Sequence, residues 1–192
     1  SAGFQTLYTY SSEPIPAGTS PTYVAPNNAT QNYKLAINEW GLDLPENRQY
    51  SMESALYGAR LMNVFERHGN LIGMSAVSDL VNGWPGGIIQ ANRHGVFVSP
   101  LFLVNQLYAN HMGTERLATT VTGPTFNTSK EGTNVPVLDA SVSRSSDGRK
   151  IIVKVINTDS AKTIRTSVFL NGVTVQPRGE MFTVHSDTLN AF

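Results

Sequence analysis

Apolar and polar residues follow two alternating patterns in residues 33–112. Short apolar runs at Leu35–Ile37 and Leu71–Val77 are typical of buried strands. After each run, apolar residues return every three or four positions, which is typical of amphipathic helices. Ser51 and Ser99 are well suited to begin these helices, because a serine side chain accepts a hydrogen bond from the first turn. The pattern predicts strand, helix, strand, helix, with parallel strands because a helix crosses between them.

The second half of the chain has a different pattern. From about Val135 onward, apolar residues recur at every second position, which is typical of strands with one buried face. Asp147–Gly148 and Asn171–Gly172 are dipeptides that favour tight hairpin turns. We therefore predict about five antiparallel strands within residues 113–192, forming all or half of a β-sandwich domain.

Residues 1–32 follow neither pattern. Phe4–Tyr10 is a short apolar and aromatic stretch, and the rest is rich in Ser, Pro, Thr, Asn and Gly. The prolines exclude a regular helix there. We interpret this part as a loop-rich segment that precedes an α/β unit at 33–112 and an all-β unit at 113–192.

Composition narrows the range of functions. Apolar residues make up 40% and charged residues 15% of the chain, which is ordinary for a globular protein. The 14 Lys and Arg residues balance the 14 Asp and Glu residues, so charge gives no reason to expect a nucleic acid or an anionic membrane as partner. A neutral polyol such as a sugar suits this composition better. Cysteine is absent, which excludes disulfides, thiolate metal sites and cysteine nucleophiles.

The sequence leaves the compartment open between cytoplasmic and secreted. Ser1–Phe4 shows no basic region followed by an apolar core, so we expect no signal peptide. No apolar stretch has the length that a membrane span requires.

Glu39 is the leading catalytic candidate. The apolar run Leu35–Ile37 ends at Asn38, Glu39 and Trp40, so a carboxylate lies at the carboxyl end of a predicted strand. Barrels of the α/β class keep their chemistry at that end of the strands, whereas an acid in this position elsewhere is usually a solvated loop residue. Trp40 would offer an aromatic platform for the apolar face of a sugar.

Three polar or aromatic residues after the second strand are further candidates. Asp79 either faces the same pocket as Glu39 or braces the loop that follows it. Asn82 either donates to a sugar hydroxyl or bonds its own backbone, and Trp84 is either a pocket wall or a packed loop residue. The four histidines have no ligand spacing on a helix face, so we expect no metal site, and nothing in the sequence calls for a cofactor.

Several motifs together resemble glycoside hydrolase family 51, the α-L-arabinofuranosidases. They occur in the order expected for that family, and they are Leu35–Gly41, Tyr50–Leu56, Ser78–Asn82, His94–Pro100 with Leu107–Ala109, Val135–Ala140 and Lys154–Asn157. The resemblance covers residues 33 to about 185, and the ordered set is far more specific than any one of its members. It identifies His94–Pro100 together with Leu107–Ala109 with the last barrel helix, and Phe4–Tyr10 as a candidate remnant of barrel strand six.

The resemblance implies the last two β/α units of a (β/α)8 TIM barrel, followed by a C-terminal, jelly-roll-like antiparallel β-sandwich. It implies a retaining exo-hydrolase that removes terminal arabinofuranosyl groups from hemicellulose or pectic polysaccharides, with Glu39 as the nucleophile. The residues that it brings near the substrate are Asn38, Trp40, Asp79, Asn82 and Trp84. Asp79 stands where many members have glutamine.

The family's acid/base glutamate lies on barrel strand four, which has no counterpart here. We therefore expect a complementary N-terminal polypeptide of the same enzyme as a partner, and a homo-oligomer remains open. Two alternatives are the same family acting on xylosides or β-glucan, and a non-catalytic β-sandwich module that binds polysaccharide. Few aromatic residues in 113–192 disfavour the second alternative.

Overall fold

The computed structural model describes residues 34–42, 44–83, 87–129 and 131–191. The predictions made for residues 1–32 and for Trp84 lie outside the described residues. Within the described ranges, no helix combines the length and hydropathy that crossing a membrane requires.

The first unit is a parallel pair of strands joined by a helix, as the hydrophobic pattern predicts. Strand β1 (Leu35–Trp40) pairs with β2 (Ile72–Val77), and α1 (Met52–Arg67) crosses between them after a short 3-10 helix at Pro45–Tyr50. Ser51 precedes the first residue of α1, so the predicted start of that helix is confirmed.

A β-hairpin separates the second strand from the second helix, which the sequence did not predict. Strands β3 (Ile89–Asn92) and β4 (Gly95–Val98) pair in antiparallel fashion, and α2 (Pro100–Asn110) follows. Of the residues matched to the last barrel helix, Leu107–Ala109 lie in α2 and Pro100 begins it, whereas Gly95–Val98 form a strand. The Asn92 side chain explains the turn, because its Oδ1 accepts from the backbone N–H groups of His94 at 2.8 Å and Gly95 at 3.2 Å.

The apolar core lies between β1, the two helices and the edge of the second unit. Ala55 of α1 is completely buried, and Leu101 of α2 is 2% exposed. Gly58 allows α1 to approach its neighbours closely, since a Cβ there would lie 2.3 Å from Leu101 Cδ1. The buried members of this core are Trp40, Met52, Ala55, Ala59, Met62, Ile88, Leu101, Val104 and Ile156.

The second unit consists of two small antiparallel sheets. Strands β5 (Glu115–Arg116), β8 (Leu138–Arg144) and β9 (Ile151–Asn157) form one sheet in the order β5-β8-β9. Strands β6 (Thr125–Thr128) and β7 (Gly132–Pro136) form a separate hairpin.

The predicted hairpin at Asp147–Gly148 is confirmed, and the strands predicted farther along are absent from the described residues. Gly148 has φ +70 and its N–H donates to Ser145 O at 2.9 Å, closing the turn between β8 and β9. Gly172 also has positive φ, but residues 158–191 contain no strand. Alternation of apolar and polar residues decides only which side chains would share a face of a strand. A hydrogen-bonded ladder also needs an adjacent strand in register.

Several large apolar side chains of residues 158–191 are exposed. Phe169 is 84% exposed and Met181 is 89% exposed. A cavity of about 1760 Å³ lies between β9, the end of α2 and residues 159–189. The observed fold is thus one of small sheets with few helices, and the closed barrel and complete sandwich stay predictions.

A buried polar cluster joins the two units. Asn63 of α1 is completely buried, and its Nδ2 donates to Asp139 Oδ1 on β8 at 2.6 Å. Its Oδ1 accepts from the Tyr108 hydroxyl of α2 at 2.5 Å and lies 2.8 Å from Ser141 Oγ. Glu66 completes the cluster, with Ser141 Oγ 2.6 Å from its Oε2 and an ion pair to Lys154 of β9.

Burial shapes the ionisation of this cluster. It raises the pKa of the Tyr108 hydroxyl well above its ordinary value of 10.0, and the carboxylates of Glu66 and Asp139 act in the same direction. Burial lowers the pKa of Lys154, against the hydrogen bond and charge of Glu66. The Lys154 ammonium also lies 4.1 Å from the centre of the Tyr108 ring.

We predict that Asn63→Ala lowers the free energy of unfolding by about 2–3 kcal/mol, because the change removes a fully buried amide and the nearer of the two acceptors of the Tyr108 hydroxyl. Chemical denaturation of the purified protein measures the change. Asn110→Ala, at an exposed position on α2, is the control and should stay within about 0.5 kcal/mol of the wild type. Equal effects of the two substitutions would contradict a joining role for Asn63.

A second prediction concerns alkaline pH. Because the folded state raises the pKa of Tyr108, its stabilising contribution is complete below the ordinary pKa of 10.0 and is lost as the pH rises further. Tyr108→Phe cannot ionise, so its stability should decline less steeply than that of the wild type above about pH 10. Denaturant unfolding over a pH series measures how steeply the stability of each protein falls with pH. Equal slopes for the wild type and Tyr108→Phe would contradict the raised pKa of Tyr108.

Candidate functional site

Glu39 lies in a β-bulge near the carboxyl end of β1. Ile37 is opposite Ser75 and Trp40 is opposite Val77, so three steps along β1 match two steps along β2. The extra residue falls at Asn38 or Glu39, both of which are exposed. A bulge changes the direction in which side chains point, and at this bulge Glu39 is exposed.

Ser78 connects the ends of the two strands. Its backbone N–H donates to Trp40 O at 2.8 Å, and its hydroxyl donates to Glu39 Oε1 at 2.8 Å. The same hydroxyl lies 3.3 Å from Asp79 Oδ1. Glu39, Ser78 and Asp79 therefore form one polar group at the edge where an α/β protein is expected to keep its chemistry.

Ser78 was not singled out as a site residue from the sequence. It belongs to the motif Ser78–Asn82, but its type suggests no particular chemistry. The available signal was its place directly after β2, since the carboxyl ends of neighbouring parallel strands meet at one edge.

Asp79 also braces the loop that follows β2. Its side chain packs against Gly83, where a Cβ would lie 2.1 Å from Asp79 Cβ and 2.3 Å from its Oδ2. Only glycine fits at position 83 without a shift of this carboxyl group. The structure therefore shows the bracing role of Asp79, and its place in a pocket with Glu39 stays a prediction.

The side-chain amide of Asn82 is hydrogen-bonded to the β3–β4 hairpin. Its Nδ2 donates to Ala91 O at 2.8 Å, and its Oδ1 accepts from Ala91 N–H at 2.7 Å. The residue has φ +50, a conformation that asparagine adopts more readily than most residues. The side chain of Asn82 thus bonds the backbone of Ala91 on β3 and not its own backbone, and its contact with a sugar hydroxyl stays a prediction.

Trp40 faces the helix and not the site. It is 8% exposed, and its ring meets that of Phe65 edge to face, with centroids 6.0 Å apart at 76°. A Cβ at Gly58 would lie 3.3 Å from Trp40 Cζ3, so the indole also packs directly on α1. The structure contradicts the aromatic platform predicted for Trp40, because the bulge places Glu39 outside while the next side chain enters the core.

The described residues also bear on metal chemistry. Within those ranges, no group of three or more His, Asp or Glu residues is arranged to hold a metal ion. Asn38, the residue before Glu39, is also exposed.

Residues 38–192 match the family model described as alpha-L-arabinofuranosidase C-terminal domain. Among curated proteins, none matches the chain. The family match includes Glu39 near its first residue and extends through the second unit.

Solved enzymes share the fold. A family 51 alpha-L-arabinofuranosidase from Bifidobacterium longum is 24% identical with a TM-score of 0.62, over 70% of this chain and 30% of that one. The thermostable enzyme of the same family from Thermotoga petrophila is 24% identical with a TM-score of 0.58, over 67% of this chain and 29% of that one. An alpha-L-arabinofuranosidase from Thermotoga maritima is 24% identical with a TM-score of 0.55, over 65% of this chain and 28% of that one.

This chain thus spans less than a third of the length of those three enzymes. The resemblance to glycoside hydrolase family 51 that the ordered motifs indicate is confirmed.

We predict that Trp40→Ala lowers the free energy of unfolding by about 3–5 kcal/mol, because it empties the space between β1 and α1. Phe169→Ala is the control, since that ring is 84% exposed, and it should change stability by no more than about 0.5 kcal/mol. Denaturant unfolding measures both variants. A small effect at Trp40 would mean that its ring is outside the core.

Proposed function

Because the chain belongs to the alpha-L-arabinofuranosidase C-terminal domain family, we propose that it supplies the nucleophile of a retaining α-L-arabinofuranosidase. The observation that carries this proposal is the position of Glu39. Its carboxylate is exposed at the carboxyl edge of a parallel strand pair, and the hydroxyl of Ser78 donates to it from the neighbouring strand. A solvated loop acid needs no such arrangement.

The proposed reaction has two steps. In the first, a Glu39 carboxylate oxygen bonds to the anomeric carbon, the bond from that carbon to the leaving oxygen breaks, and a general acid protonates the leaving oxygen. In the second, water attacks the anomeric carbon and the bond to Glu39 breaks. The former acid, now a base, takes the proton from that water, and both carboxyl groups return to their starting states.

The general acid/base is proposed to come from a complementary polypeptide of the same enzyme. Retaining glycosidases hold their two carboxyl groups about 5–5.5 Å apart, which suits residues on different strands of one barrel. Within the described residues, β1 and β2 form a sheet of two strands, and Met74 on β2 is 57% exposed. Additional barrel strands would cover this apolar surface and close the site.

The proposed substrate is a terminal arabinofuranosyl group of hemicellulose or pectic polysaccharide. The family name and the activities of the similar enzymes support this class. Asn38, Glu39 and Asp79 would contact the sugar, with Ser78 holding the Glu39 carboxylate, Asn82 fixing the hairpin beside them and Trp40 supporting Glu39 from the core.

We predict that Glu39→Gln lowers turnover of an aryl arabinofuranoside by at least about a thousandfold in the assembled enzyme, because an amide cannot form the glycosyl-enzyme bond. Steady-state kinetics measure the loss, and near-normal turnover would contradict the proposal. Glu131→Gln is the control, since Glu131, between β6 and β7, pairs with Arg60 of α1 and not with the Glu39 group. Aryl xylosides and aryl β-glucosides tested in parallel would reveal another substrate class.

A further inference from the structure

We propose that Ser78 is a positioning residue that holds the Glu39 carboxylate in the orientation needed for attack. This inference rests on the proposed role of Glu39 as the nucleophile. Ser78 itself forms no bond to the sugar and transfers no proton in either step.

The backbone fixes where the Ser78 hydroxyl can reach. The hydrogen bond from Ser78 N–H to Trp40 O ties the residue after β2 to the last residue of β1 at 2.8 Å. Trp40 in turn is held in the core by α1. The hydroxyl therefore reaches Glu39 from a residue whose backbone is hydrogen-bonded to β1.

The geometry also decides which carboxylate receives the proton of Ser78. A hydroxyl has one proton to donate, and Glu39 Oε1 is closer at 2.8 Å than Asp79 Oδ1 at 3.3 Å. Asp79 is further constrained by its packing against Gly83. Ser78 therefore donates its hydroxyl proton to Glu39 in preference to Asp79.

This hydrogen bond bears on both reaction steps. During attack, it restricts rotation of the carboxylate, so less orientational freedom is lost on the way to the transition state. During hydrolysis of the intermediate, the bond between Glu39 and the anomeric carbon breaks and negative charge returns to the carboxylate. A donor already in place stabilises that returning charge.

The test compares three substitutions in the assembled enzyme. Ser78→Ala should lower kcat for an aryl arabinofuranoside by about tenfold, with KM within about twofold, because the lost interaction acts mainly in the transition state. Ser78→Thr retains the hydroxyl and should restore most of kcat. Ser75→Ala, which removes an exposed hydroxyl from the same strand, should change neither constant. Unchanged kcat in Ser78→Ala, or equal losses in the Ala and Thr variants, would overturn the inference.

A trapping experiment separates this inference from the proposed function. A fluorinated arabinofuranosyl inactivator with a good leaving group should label the peptide that contains Glu39, as detected by mass spectrometry. Label on another residue would refute the nucleophile itself. Label on Glu39 that forms equally fast in the wild type and in Ser78→Ala would retain the nucleophile and refute the positioning role.

Discussion

The hydrogen bonds of Asn63 are the interaction on which the arrangement of this chain depends. One buried amide binds Asp139 of the sheet and the Tyr108 hydroxyl of the second helix, so three elements distant in sequence share one polar centre. The cost of burying these groups is offset only while every partner is present. Arg67 reinforces the same contact by donating to Asp139 Oδ1 at 2.8 Å and to Ala140 O at 2.9 Å. The helices are thereby fixed on the small sheet.

The candidate site is built outward from that fixed framework. Helix α1 packs on Trp40, the last residue of β1, and the bulge before Trp40 leaves Glu39 exposed. Ser78 then joins the ends of the strand pair and reaches the carboxylate. Glu39, the residue proposed to react, is thus adjacent in sequence to a core residue. The same strand end that exposes its carboxylate also brings it within reach of the Ser78 hydroxyl.

The two units differ in how their backbone groups are satisfied. The helices of the first unit satisfy their backbone groups internally, so they form with few neighbours. Strands satisfy theirs only across a ladder, and the alternating residues of 158–191 have no such partner among the described residues. The exposed β2 surface and the large cavity beside β9 agree with a chain that covers less than a third of related enzymes.

The sequence by itself determined the two helices, the parallel order of β1 and β2 and the hairpin at Gly148, because these depend on local period and turn chemistry. It also singled out Glu39 as the catalytic candidate through an ordered set of motifs. The tertiary structure decided the rest. The inward turn of Trp40, the bond from Ser78 to Glu39 and the bidentate contact of Asn82 with Ala91 each depend on a neighbour brought close by the fold. Residue type limits which bonds a side chain can make, and only the packing of distant segments selects which one it does make.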